Sequence, residues 1–230
     1  MYNILYKGVN CSRFGIIPAR RPSVPAPEIR VTEMEIPGRD GVLVETDGCY
    51  GTITIPVEFN YLVPPEKWMD AYRKAKRWLT GSGWLVLEDD QDYMYKVLYV
   101  KITDTERTSR RIGNFTAEFT CDPYAYLVSG QQEHSVTDVL YNPYMLSHPV
   151  YKITGEGVCT LTVNGNTMSA NVGQNITIDT ELMIAYREDG TMQNTEVTGD
   201  YEKLYLQEGE NTITVTSGFE VTVQPNWREL

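Results

Sequence analysis

Apolar and polar residues alternate strictly from Thr52 to Leu62. Ile53, Ile55, Val57, Phe59 and Tyr61 fall on one side, and Thr52, Thr54, Pro56, Glu58 and Asn60 on the other. A period of two predicts a β-strand with one buried face. Pro56 on the polar side predicts a place near a sheet edge or at a bulge, because proline cannot donate to a ladder. Pro64-Pro65 ends this strand, and the period changes. Trp68, Tyr72, Ala75 and Leu79 recur at helical spacing, an apolar stripe suited to packing on a sheet. Glu66 complements the helix N-terminus, while Arg73, Lys74, Lys76 and Arg77 load the last turns, where the macrodipole favours cations; Gly81 ends the element.

The other segments read mostly as strands. Met1 to Tyr6 and Phe14 to Ile17 are short ones, and the proline-rich Arg20 to Pro27 is a loop or extended edge. Trp84 to Leu87 runs through an acidic turn, EDDQD, into Tyr93 to Ile102. Asp104 to Arg111 reads as a charged loop, Phe115, Ala117 and Phe119 alternate in a further strand, and Pro123 stands between strand and linker. Gln131 to His148 lacks periodicity and holds Asn142-Pro143 and His148-Pro149, which places a junction there. Beyond it, strands are predicted at Val150 to Thr154, Val158 to Val163, Asn175 to Ile178, Leu182 to Tyr186, Lys203 to Leu206, Asn211 to Thr216 and Phe219 to Val223. Turns fall at Asn164-Gly165, Asp189-Gly190, Glu208-Gly209 and Ser217-Gly218. The fold class expected is mainly β, with two β-sandwich-like domains, residues 1–130 and 131–230, the first carrying a single packed α-helix.

Charge divides the chain in the same place. Residues 1–130 carry 16 basic and 17 acidic side chains, whereas residues 131–230 carry 4 and 14. The net charge of −11 argues against a sequence-independent nucleic-acid binder, which needs a basic face. No apolar run approaches the ~20 residues that cross a bilayer, and MYNILYKGVN lacks the basic and apolar regions of a signal peptide, so cytoplasmic synthesis is expected. Cys11, Cys49, Cys121 and Cys159 form no CxxC pair and are expected to be free, buried thiols.

Motifs for catalysis are missing: there is no GxxxxGK[ST], GxSxG or HExxH, and His134 and His148 are the only histidines. Glu88, Asp89, Asp90 and Asp92 could hold a divalent cation, but lack EF-hand spacing and read better as a solvated hairpin turn. No catalytic residue, metal or cofactor is expected. Tyr124, Tyr126, Tyr141 and Tyr144 crowd the junction, where they fill a core or form an interface. The tyrosine-rich second half motivates the alternative of a carbohydrate-binding module, and abundant carboxylates a weaker one, a glycosidase.

One stretch suits an interface. In Glu35 to Thr46, EIPGRDGVLVET, Pro37 with Gly38 and Gly41 builds a turn between apolar flanks, and Arg39 and Asp40 sit side by side at its tip. Opposite charges at a hairpin tip fit either solvent or a neighbour's surface. The candidate interface residues are Ile36, Pro37, Gly38, Arg39, Asp40 and Gly41, together with the basic cluster Arg73, Lys74, Lys76 and Arg77, which could meet an acidic neighbour.

Taken in order, several segments resemble the siphophage distal tail protein (Dit) family and its prophage relatives. They are CSRFGI at Cys11 to Ile16, IPGRDGVL at Ile36 to Leu43, KRWLTG at Lys76 to Gly81, WLVLEDD at Trp84 to Asp90 and FTCDPYAYL at Phe119 to Leu127. In the second half, GEGVCTLTVNG and LQEGENTITV fit the layout of the C-terminal domain of short members. The resemblance implies a structural virion protein. It forms a hexameric ring-shaped hub at the distal end of a long non-contractile tail and joins the tail tube to baseplate and tip proteins. The N-terminal domain would form the ring, and the galectin-like C-terminal domain would dock baseplate or receptor-binding proteins. DNA would pass through without being read, and no membrane partner is implied. The long insertion of extended, receptor-binding members is missing, so host-surface binding is not implied for this chain.

Overall fold

The computed structural model describes residues 2–107, 113–136 and 138–230; the end of the expected charged loop, residues 108–111, lies outside them. The chain forms two compact units, Met1–Ala125 with Leu230, and Tyr126–Glu229.

The first unit contains β1 (Ile4–Tyr6), β2 (Val9–Asn10), β3 (Ile16–Pro18), β4 (Ile29–Glu35), β5 (Val42–Tyr50), β6 (Ile53–Tyr61), α1 (Trp68–Leu79), β7 (Gly83–Leu87), β8 (Asp90–Ile102), β9 (Glu106–Arg107) and most of β10 (Gly113–Leu127). Its main sheet has the order β2-β1-β7-β8-β10-β6-β3. The alternating strand behaves as its pattern predicts: Ile53, Ile55, Val57 and Phe59 are buried, in antiparallel register with Phe115, Ala117, Phe119 and Cys121 of β10. Pro56 is tolerated because the outer neighbour β3 pairs only with Phe59, Asn60 and Tyr61, so that at Pro56, which pairs with Glu118 of β10, the edge of β6 facing away from β10 has no strand partner.

Helix α1 follows a 3-10 turn at Pro65–Lys67 and buries Trp68, Ala71, Tyr72, Ala75, Trp78 and Leu79. The stripe is wider than the four residues read from the sequence, as a helix lying flat on a sheet requires. Trp78 is central. Its Nε1 donates to the Tyr6 carbonyl at 3.0 Å, its ring stacks on Phe14 with centroids 4.9 Å apart, and Tyr6 and Phe59 meet it edge-on. In β8, Tyr95 and Val97 face the core and so do Val100 and Ile102. The inward phase therefore slips by one residue, turning both Leu98 and Tyr99 outward.

Strand β10 runs through Pro123 to Leu127, where the sequence suggested a strand end, and the chain leaves the first unit within it. The second unit adds β11 (His134–Ser135), β12 (Val139–Asn142), β13 (Val150–Val163), β14 (Asn166–Asp179), β15 (Ile184–Tyr186), β16 (Val197–Thr198), β17 (Gly209–Val215), β18 (Glu220–Gln224) and β19 (Arg228–Glu229). Its principal sheet runs β11-β18-β13-β14-β15, with β16 on β14 and β17 on both β12 and β13. Asn164 and Gly165, at φ +51° and +81°, make the tight turn between β13 and β14. Both units are curled-sheet, sandwich-like β structures, and α1 is the one α-helix among the described residues.

Three sequence readings change in the second unit. The strands expected at Val150–Thr154 and Val158–Val163 are one strand, β13, carried through Gly155 and Gly157. Gly155, at φ +151°, has no Cβ to obstruct the Phe219 ring, and a Cβ there would lie 2.3 Å from it. β14 begins at Asn166, well before the predicted Asn175, because Met168, Ala170 and Val172 alternate inward among small polar residues that read as loop. Lys203–Leu206, expected as a strand, instead begins inside a 3-10 turn at Tyr201–Leu204; Leu204 and Leu206 are buried all the same, so the alternation was real but not strand-derived. The entering and leaving segments of this unit clasp one another. Leu127 N–H donates to Trp227 O and Asn226 N–H to Gly130 O, both at 2.9 Å. The Asn226 side chain accepts from Gln131 Nε2 at 3.0 Å and donates to His148 O at 2.7 Å.

Candidate assembly surface

Strands β4 and β5 form a two-stranded sheet of their own. At its foot, Gly51 N–H donates to Glu28 O at 2.8 Å, and Ile29 pairs with Tyr50. From there to the tip the ribbon is an arm: every residue from Glu28 to Cys49 is exposed. At the tip, Arg39 N–H closes onto Ile36 O at 3.1 Å across Pro37 and Gly38, and Gly38 takes φ +82°. Proline at the first corner and a left-handed glycine at the second make a type II turn. Neither Arg39 nor Asp40 has an ion-pair partner among the described residues.

The arm is not polar enough to be at rest in water. Ile29, Val31, Met34, Ile36, Val42, Leu43 and Val44 are between 39% and 55% exposed. Register places Val31, Val42 and Val44 on one face with Glu33 and Glu35, and Met34 and Leu43 on the other. A ribbon apolar on both faces, with no third strand, is marginal by itself, because too little of it is buried to offset the entropy of ordering it. Its long edges also present unpaired backbone groups. Such a ribbon is stabilised when another surface covers it.

The other candidate residues lie on the solvent side of α1. Lys74 pairs with Asp70 at 2.7 Å, and the Lys76 ammonium sits over the Tyr72 ring. Met69, Arg73 and Arg77 form an exposed line along the helix, with Met69 39% exposed. Arg73 and Arg77 have no ion-pair partner among the described residues.

Other candidates are spent on packing. Asp89 of the acidic turn accepts from Tyr2 OH and pairs with Arg21 at 3.5 Å, and Glu88 accepts from the Asn3 N–H. Burial and the Asp89 carboxylate both push the Tyr2 phenol well above its usual pKa. The junction tyrosines form no platform: Tyr126 is buried, Tyr124 packs edge-on against Tyr50, Tyr144 lies against Trp227, and only Tyr141 is largely exposed.

The four thiols are free. Cys11, Cys121 and Cys159 are buried, but Cys49 is exposed, contrary to expectation, because it belongs to the arm. Desolvation raises all three buried thiols, Cys121 to about 12. They therefore stay protonated and unreactive at pH 8, since the thiolate is the nucleophile. A native monomer is expected to titrate one thiol with a disulfide reagent and all four after denaturation. Modification of a second thiol in the native state would contradict this burial.

The fold as a whole, a helix-backed sheet followed by a second curled-sheet unit, is similar to that of a phage tail hub protein of known structure. One such solved structure is Dit (gp 19.1) of phage SPP1, described as a paradigm of the hub adsorption apparatus in phages infecting Gram-positive bacteria. The two superpose with a TM-score of 0.73 over 100% of this chain and 98% of that chain, at 12% sequence identity. No family model matches the sequence, and no curated protein matches it. At this identity the likeness is one of fold.

Proposed function

We propose that the chain is a structural hub protein of a siphophage or related prophage tail. In this reading, six copies close into a ring at the distal end of the tail, joining the tail tube to tip and baseplate proteins. The observation that carries the proposal is the full-length likeness to the fold of a hub protein, both units included. The exposed arm supports it, since a ribbon apolar on both faces calls for a neighbour's surface. The first unit would build the ring through the arm, with Ile36 to Gly41 at its end, in a heterologous, ring-closing contact. The second unit would offer its surface to a baseplate or receptor-binding protein. This reading involves neither a cofactor nor catalysis.

The test is assembly. Light scattering across a concentration series, with negative-stain images of the largest species, is expected to show a closed ring. On assembly Cys49 is expected to lose its reactivity toward a thiol reagent as the arm is covered. A chain that remains monomeric at high concentration and never joins tail tubes would sink the reading.

A further inference from the structure

The arm's receiving surface can be named from charge and spacing. We infer that the arm of one copy lies along the solvent face of α1 in the next copy, the contact resting on the ring assembly proposed above.

Charge complementarity comes first. The arm carries Glu28, Glu33, Glu35, Asp40, Glu45 and Asp47 against Arg30 and Arg39. Helix α1 and its approach carry Lys67, Arg73, Lys74, Lys76 and Arg77 against Glu66 and Asp70. In the isolated chain the arm is exposed throughout, so it does not lie on its own helix.

Spacing sharpens this. On one face of β4 stand Val31, Glu33 and Glu35 at every second residue, roughly 7 Å apart. Along the open line of α1 stand Met69, Arg73 and Arg77 at every fourth residue, roughly 6 Å apart. Apolar, acidic, acidic thus faces apolar, basic, basic with nearly the same repeat. Val42 and Val44, on the same arm face as the two glutamates, add apolar surface beside Val31, and the aliphatic stems of Arg73 and Arg77 can cover it. Burial of the valines supplies attraction, and the charges fix register and exclude a slipped arrangement.

The experiment is a charge swap in the full-length chain, with the concentration of half-assembly read by light scattering at low and moderate salt. Arg73→Glu with Arg77→Glu, and separately Glu33→Arg with Glu35→Arg, are each expected to raise it by about tenfold or more. All four residues are exposed, so circular dichroism should remain that of the native fold. The quadruple variant, with the charges exchanged, is expected to recover most of the loss. If either double variant assembles like the wild type, or the quadruple variant recovers nothing, the arm does not lie on α1, while the ring itself stands. If the wild type never assembles, the hub reading falls first, and this contact with it.

Discussion

A chain lacking Arg30 to Cys49, with Ile29 joined to Tyr50 by a short glycine-serine link, is expected to fold normally and to form no ring. The ends of the excision are already neighbours: Ile29 pairs with Tyr50, and Glu28 is bonded to Gly51. A few residues therefore close the gap at small entropic cost. No removed residue belongs to either core, so the thermal transition and far-ultraviolet spectrum of the remaining structure should be kept. What is lost is Val31, Met34, Ile36, Val42, Leu43 and Val44, each about half exposed in the single chain. Covering that remaining surface contributes about 5–10 kcal/mol per contact at the usual value of apolar burial. Much of this goes to the loss of freedom on association. Removing it should move assembly beyond any accessible concentration, read as a monomer by light scattering and as exclusion from tails. Rings formed by the armless chain at wild-type concentrations would show that the ribbon is not the joint.

The arm also shows how far the sequence could be read. The tip was legible, because Pro37, Gly38 and Gly41 restrict the backbone wherever they stand. The exposure of the strands behind it was not. Val42-Leu43-Val44 is written like a buried strand, and burial can be inferred from such a run only if the surface that covers it belongs to the same chain. Here the cover is proposed to be another copy, which a single-chain pattern cannot distinguish from a core. The exposure of Cys49 escaped notice for the same reason. Elements with one wet and one dry face, β6 and α1, were read correctly because their period carries the information. In the second unit, β14 was half missed since Asn, Ser and Gly outweigh Met168, Ala170 and Val172 in composition, although the alternation was present. Gly155 and Gly157 looked like breaks in β13, yet a glycine also keeps a strand going where a neighbour's ring needs the space, as Phe219 does. The candidate helix residues Arg73, Lys74, Lys76 and Arg77 lie on the solvent side of α1. Met69 extends the line of Arg73 and Arg77 at the same four-residue spacing.

Trp78→Ala is expected to be the most damaging single substitution in the first unit. The side chain is 8% exposed and joins β1, the turn at Cys11–Phe14, β6 and α1 through its contacts with Tyr6, Phe14 and Phe59. Truncation removes a large aromatic from a core, which costs about 3–5 kcal/mol. It also deprives the Tyr6 carbonyl of its indole donor, at a further cost of about 1 kcal/mol. Against a domain stability of roughly 5–15 kcal/mol, about a quarter or more of the total is lost. Trp78→Phe keeps most of the packing and loses the hydrogen bond, so its cost should be about half as great. The measurement is urea unfolding followed by far-ultraviolet circular dichroism, which avoids the fluorescence removed with the indole. Because the second unit has a core of its own around Tyr151, Leu161 and Ile178, its transition should stay in place while the first unit's moves to lower urea. A first-unit midpoint unchanged in Trp78→Ala would mean that α1 is not anchored through this residue. If the helix does loosen, the variant should also assemble poorly while its arm is intact, since the proposed receiving line of Met69, Arg73 and Arg77 is held in place only by the buried side of the same helix.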